Sequence, residues 1–316
     1  MTASTLGPHG LLLLDKPAGI TSHDLVARTR QALNTRKVGH AGTLDPMATG
    51  LMLLGIGDAT RLLTYLVGED KTYEATARLG IATNTEDAEG EVTATNAVDE
   101  VAAVSESEIR AAVASFHGPI SQVPSAVSAI KIDGKRAYQR VREGEEVELP
   151  ARDVVIHEIE VLGIDEVQLD DTGAPETKVI DLQFRVRCSS GTYVRALARD
   201  IGARLGLGAH LTALRRTTIG PFRVRDVADL EDAALAEHLL SSAEVARARF
   251  PHFTASAAEA AALRHGQRIA PPEALLSERG PIATLAPDGA LIGIVEVRGG
   301  RTRTLMNLPH RPEDAA

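Results

Sequence analysis

Two short apolar runs, Gly10–Leu14 and Leu51–Ile56, constrain this chain more than anything else in it. Runs of this length, bounded by turn residues, read as buried strands and not as helices. The second run follows a loop of opposite character: Gly39-His40-Ala41-Gly42-Thr43-Leu44-Asp45-Pro46-Met47-Ala48-Thr49-Gly50. Asp45 has two readings. Asp followed by Pro fits a helix N-cap with Pro at the first helical position. Met47–Gly50, however, is too short for a helix before the strand, so a cap would have little to cap. A carboxylate held by a Gly-rich loop at a strand edge, five residues after His40, suits a site better than a core.

The rest of the chain mixes strands and helices without a regular βαβ beat, so the fold class is α+β. Ser22–Leu33 has helical spacing, and Asp58 is placed to cap a helix through Leu66. Tyr73–Leu79 alternates as a strand, and Thr83–Gly90 is an acidic loop. Ser105-Glu106-Ser107-Glu108 is a capping box opening a helix to about Phe116. Ala126–Ile132, an Asp133-Gly134 turn and a basic helix from Lys135 to Glu143 follow. Val154–Leu162 and Val179–Val186 read as strands around a polar, acidic, exposed insertion at about 163–178. Thr192–Leu205 is helical and His210–Thr218 extended. After Phe250-Pro251-His252 come a helix (Ala255–His265) and three strands (Ile282–Leu285, Leu291–Val297, Arg303–Leu308), with a hairpin turn at Pro287-Asp288-Gly289. These readings divide the chain into a domain of residues 1–249 and a small one of 250–316.

The net charge of −9 argues at first against a nucleic-acid partner. Its distribution does not. Glu74–Glu108 holds nine acidic residues and one basic one, whereas Cys188–Arg225 holds seven arginines against Asp200 alone. Lys131–Arg142 is also basic. Such segregation fits an acidic back and a basic face that attracts phosphate, or simply solvated surface with scattered ion pairs. Several chemistries lack their motifs. There is no phosphate-binding G-x-x-x-x-G-K-[ST] loop, Gly55-Ile56-Gly57 lacks the third glycine of a dinucleotide fingerprint, and His157-Glu158 lacks a second zinc histidine. No G-x-S-x-G motif is present. The one cysteine, Cys188, lies in a strand pattern and reads as a buried structural thiol. No apolar run approaches a membrane span and the N-terminus lacks a signal pattern, so the expected location is cytoplasmic.

The loop from Gly39 to Gly50 resembles the catalytic loop of the bacterial tRNA pseudouridine-55 synthases. Other stretches match that family in order. Leu12–Gly19 resembles its opening motif, Lys71-Thr72-Tyr73 and Ala77–Gly80 its tyrosine strand, and Asp87-Ala88-Glu89-Gly90 its acidic loop. Pro124–Tyr138 resembles the basic segment, about 120–150, that closes over the RNA. Ser190-Gly191-Thr192-Tyr193-Val194-Arg195 and His210–Arg216 complete the set. Leu263–Ile269 and Gly293–Val297 resemble a PUA-like RNA-binding module. Departures are small: Ala41 stands where many members have Thr, Asn84 where Asp is usual, and Ser190 where Lys is frequent.

The resemblance implies a pseudouridine-synthase fold, with a mixed, largely antiparallel central sheet flanked by helices and a small, mostly-β C-terminal domain. It implies isomerisation of uridine in the T arm of tRNA without cofactor or metal; no membrane partner is expected, and nothing in the sequence demands more than a monomer. Asp45 would be the nucleophile, attacking uracil C6 or ribose C1′. A dry pocket disfavours a bare carboxylate, and Arg195 would supply the opposing charge. Tyr73 would stack on the flipped uracil and relay a proton; Tyr193 and Leu214 would line the pocket; His40 would contact the RNA where the base has left its stack. Lys16, Lys131, Arg136 and Arg215 are expected to meet phosphate, and Asp87 to bond a base edge or order a basic neighbour. A tRNA-binding folding chaperone with incidental or lost catalysis is the alternative. A carboxylate-dependent glycosidase is a third reading, disfavoured because hydrolysis normally uses a second acid and the motifs place none near the nucleophile.

Overall fold

The computed structural model describes residues 7–125, 149–169 and 177–309, together with the backbone of 131–132 and 135–136. Both apolar runs are strands: β1 is Gly10–Lys16 and, after the short β2 (Val38–His40), β3 is Thr49–Ile56. They pair antiparallel from Gly10↔Ile56 to Lys16↔Gly50. Their runs are unbroken because both faces are covered. Leu12, Leu14, Met52 and Leu54 enter one core with the helices Ser22–Ala32 and Val194–Arg204. Leu11, Leu13, Leu51 and Leu53 enter another, shared with Ala283, Leu285, Leu291 and Ile294 of the C-terminal sheet.

The next strands are β4 (Lys71–Leu79), the β5–β6 ribbon (Ile81–Thr83, Val92–Thr95) and β7 (Gly118–Gln122). A second ribbon joins β8 (Lys131–Ile132) to β9 (Lys135–Arg136). Then come β10 (Arg152–Leu169), β11 (Thr177–Cys188), β12 (Ala209–Ile219) and β13 (Phe222–Arg223). The central sheet runs β1-β3-β12-β4-β11-β10-β7, with β2 on β3 and β13 on β12. Its pairings are antiparallel except β3–β12. The mixed, largely antiparallel α+β sheet is therefore as expected. The C-terminal part is a small four-stranded sheet of β14 (His252–Thr254), β15 (Ile282–Leu285), β16 (Leu291–Arg298) and β17 (Arg301–Asn307), with the helix Ala257–Arg264 against it. Among the described residues, no helix is long and apolar enough to cross a membrane.

Three local expectations need correction. Asp58 caps no helix: it pairs with Lys37 at 2.7 Å, and Gly57–Arg61 is a 3-10 turn before the single helical turn Leu63–Leu66. The stretch after Gly163 is partly exposed and not irregular, since Gly163–Leu169 continue the ladder opposite Gln183–Thr177. Polar side chains suit that ladder because its faces there meet water. Residues 170–176 lie outside the described residues. The basic helix expected from Lys135 begins as strand, with Lys135 opposite Ile132 and Arg136 opposite Lys131; Ala126–Ile130 and the rest of that helix, 137–143, lie outside the described residues.

Gly50, the second residue of β3, is glycine for a steric reason. It has φ +106° and lies where β3 meets β12 in parallel, opposite Arg216. A Cβ there would collide with the Arg216 carbonyl oxygen and stand 2.7 Å from its amide nitrogen. Backbone strain and overpacking each cost roughly 1–3 kcal/mol. Gly50→Ala is expected to lower unfolding free energy by about 3 kcal/mol in urea denaturation; an unchanged midpoint would show that the strands do not approach as described.

Candidate active site

Asp45 sits in the turn between Ala41 and Ala48, which two buried cations hold from beneath. Arg216, at 1% exposure, donates from Nε to the Leu51 carbonyl (2.8 Å), from Nη1 to Thr43 O (3.3 Å) and from Nη2 to Gly42 O (3.1 Å). Lys16, fully buried, donates to the carbonyls of Pro17, Ile20 and Pro46 at 2.9, 2.8 and 3.1 Å. The three hydrogens of an ammonium are thereby used. The phosphate contact expected of Lys16 is therefore not what its place allows; it braces the Pro46 end of the loop from inside.

The other half of the site begins where β11 ends. Gln122, 2% exposed, accepts from the Tyr193 amide (2.9 Å) and donates to the Tyr193 carbonyl (3.1 Å), fixing the residue that caps the Val194–Arg204 helix. One residue into that helix, Arg195 reaches back across the cleft. Its Nε lies 3.0 Å from Asp45 Oδ2, and its Nη1 lies 3.3 Å from Asp87 Oδ2 and 2.8 Å from the Thr85 carbonyl. The side chains of Arg195 and Asp87 are each 5% exposed, whereas that of Asp45 is 37% exposed. Asp87 is further held by the Thr85 hydroxyl and the Glu89 amide at its other oxygen. One guanidinium thus joins a buried, fixed carboxylate to one that faces open space.

The open space is a cleft of about 330 Å³ lined by Asp45, Tyr73, Tyr193, Arg195 and Leu214, with Lys71, Arg216 and the turn Ser189–Thr192. Five expected site residues therefore meet. Burial pushes the Tyr73 phenol up, with Arg216 beside it pulling the other way, so the ring enters neutral chemistry as a phenol. His40 does not line the cleft. It is half-buried on β2, edge-on to His23 at 5.8 Å, and burial lowers its pKa below the usual histidine value. Arg215 pairs with Asp15 at 2.5 Å and so is not an unpartnered phosphate ligand. Asp87 orders Arg195 and is too buried to reach a base edge. Lys131 and Arg136 have only their backbones described.

Asp87 also corrects the argument made against a hydrolase, because a second carboxylate does stand near Asp45. It lines no part of the cleft and both its oxygens are engaged, so it is poorly placed to serve as an acid. Two cleft residues, Lys71 and Arg216, were not picked out by the sequence. Arg216 lay hidden in a run of arginines. Lys71 could have been found from the alternation of β4, which puts it on the face of Tyr73. Cys188 is buried, with its thiol pushed up to about 11, as a structural thiol should be.

A model of the TruB family pseudouridylate synthase N-terminal domain matches residues 30–194. The chain belongs to the TruB family. Two further models of that family's C-terminal regions match residues 195–265 and 250–309. Proteins named tRNA pseudouridine synthase B are similar over nearly the whole chain. That of Leifsonia xyli subsp. xyli is 51% identical, covering 95% of this chain and 96% of its own. That of an Arthrobacter species is 51% identical over 94% and 95%. A chain in a solved H/ACA ribonucleoprotein, described as bound to a substrate RNA containing 2′-deoxyuridine, shares the fold, with TM-score 0.68 at 22% identity over 99% of this chain and 92% of that one.

The burial contrast across Arg195 has an energetic consequence. Removing one partner of a buried pair costs about 3–5 kcal/mol, and an exposed pair contributes about 1 kcal/mol or less. Arg195→Ala, which strands Asp87, is expected to destabilise within the first range, and Asp45→Ala within the second. Urea denaturation checks both; equal losses would mean that Asp45, not Asp87, anchors the arginine.

Proposed function

We propose that this chain is a tRNA pseudouridine synthase that isomerises uridine 55 in the T loop. The observation that supports this most is the ion pair of Asp45 and Arg195 at one end of a cleft walled by Tyr73 and Leu214. Flipping a base costs a few kcal/mol of stacking and pairing. A pocket with an aromatic wall and an aliphatic one offsets this by giving the extruded uracil two faces to lie against.

In this reading Asp45 is the nucleophile. Its half-exposed carboxylate reaches the cleft, while Asp87 keeps Arg195 in place beside it. Arg195 orients the attacking oxygen and opposes its charge as water is excluded by the RNA. Tyr73 stacks on the base and, as a phenol, can pass a proton late in the reaction. Tyr193 closes the opposite side. The chemistry begins and ends with the same carboxylate, which is released when uracil C5 joins ribose C1′. The substrate is read mostly by the folded shape of the T arm. Residues 1–249 act as the catalytic domain and 250–316 as an RNA-binding domain, in a cytoplasmic monomer.

The test uses tRNA carrying tritium at uracil C5, because joining through C5 releases that label to water. Wild-type protein is expected to release it, and Asp45→Asn to bind tRNA with little change yet release none. Tight binding without release by the wild type would favour the RNA-chaperone reading, and free uracil among the products would favour hydrolysis. An Asp45→Asn variant of normal activity would remove Asp45 from its role.

A further inference from the structure

Lys71 is the first residue of β4 and shares the buried face of that strand with Tyr73. It lines the cleft at 7% exposure. A lysine this buried normally has an ionic partner, yet no ion pair is found for Lys71 among the described residues. Its ammonium carries three hydrogens. It donates to the carbonyls of Glu69 (2.6 Å) and Val67 (3.1 Å), which leaves one hydrogen without a protein acceptor among the described residues.

The groups packed around it sharpen the point. Arg216 of β12 adds a like charge, Cys188 of β11 is a protonated thiol, Tyr73 is a phenol, and Glu69 and Asp70 stand in the turn before the strand. Glu69 already pairs with Arg249, and Asp70 with Arg187. The cleft therefore holds a second buried cation beside Arg216, apart from the Asp45–Arg195 pair. Two cations against one wall fit a bound group that gains negative charge.

Resting on the pseudouridine synthase reading, we propose that Lys71 is a catalytic residue whose ammonium donates a hydrogen bond to a carbonyl oxygen of the extruded uracil and stabilises negative charge on the ring. Both routes open to Asp45 create that charge. Attack at C1′ forms an O–C1′ bond as the C1′–N1 bond breaks, and its electron pair passes to uracil, shared by O2 and O4. Attack at C6 forms an O–C6 bond and drives the C5=C6 pair through the ring to O4 as an enolate. In each case the C1′–C5 bond forms, C5 gives its proton to water, N1 takes one up in place of its lost bond to C1′, and the Asp45 carboxylate leaves with the electron pair of its ester bond, so charge and atoms end as they began. A donor poised at the oxygen lowers the barrier to either step.

The experiment is single-turnover tritium release with protein in excess, from about pH 6.5 to 9.5, for wild type, Lys71→Met and Lys71→Arg. Removing one such donor lowers rates by roughly 100-fold or more, so Lys71→Met is expected to lose about that much at neutral pH, with tRNA affinity little changed. Burial lowers the Lys71 pKa to about 8. The group is charged below that value and neutral above it, so the wild-type rate should fall above about pH 8. Lys71→Arg, which keeps its charge, should hold its rate to higher pH. Ionisation of uridine N3 adds an alkaline limb common to all three proteins and cannot produce this difference. A wild-type rate in Lys71→Met, a loss confined to affinity, or the same alkaline limb in wild type and Lys71→Arg overturns the proposal. If Lys71→Met does not fold, the two remaining profiles decide, and a wild-type rate flat to pH 9.5 is itself contrary. A wild type that releases no tritium overturns the parent reading instead.

Discussion

The site depends on one guanidinium shared by two carboxylates. Arg195 leaves the start of its helix buried, where a lone charge would be costly. Asp87 compensates from within the protein, and Asp45 meets the same cation from the cleft side. The asymmetry matters for function. A single buried pair would hold its carboxylate away from substrate, and a single exposed one would let it wander. Sharing the cation lets the inner carboxylate set its position while the outer one stays within reach of a ligand.

The sheet makes that sharing possible. β4 lies between β12 and β11, so Lys71 and Tyr73 reach the cleft from its floor while Leu214 and Arg216 enter from the neighbouring strand. The loop carrying Asp45 belongs to β3, whose parallel meeting with β12 needs the bare backbone of Gly50. Arg216 then ties the loop carbonyls to the strand beneath. Backbone oxygens satisfy this buried arginine, as they do Lys16, which lets cations brace a loop without neutralising the carboxylate it presents.

Much of this was legible in the sequence where chemistry and pattern agreed. The unbroken run Leu51–Ile56 announced a buried strand, and Ser105 with Glu108 announced a helix start that the structure forms with reciprocal hydrogen bonds. Asp45 and Arg195, 150 residues apart, could be joined only through family resemblance, since no local rule pairs them. What failed were inferences from residue type alone. Lys16 and Arg215 looked like phosphate ligands because lysine and arginine are usually exposed. The first is buried on carbonyls and the second is paired with Asp15. Asp58 had the look of a cap, but the chain there tightens into a 3-10 turn and its carboxylate goes to Lys37. Partners distant in sequence decide such cases, and composition does not name them.

That Asp45, held by Arg195, meets an extruded uridine can be seen in a crystal structure of this protein with a T-arm RNA. The target uridine should stand outside its stack and between Tyr73 and Leu214, with Asp45 still paired to Arg195. Uracil C6 or ribose C1′ should then lie within about 3.5 Å of an Asp45 oxygen, the separation of a reactive pair. A uridine still stacked in the RNA, or seated elsewhere with the carboxylate turned from the cleft, would contradict it.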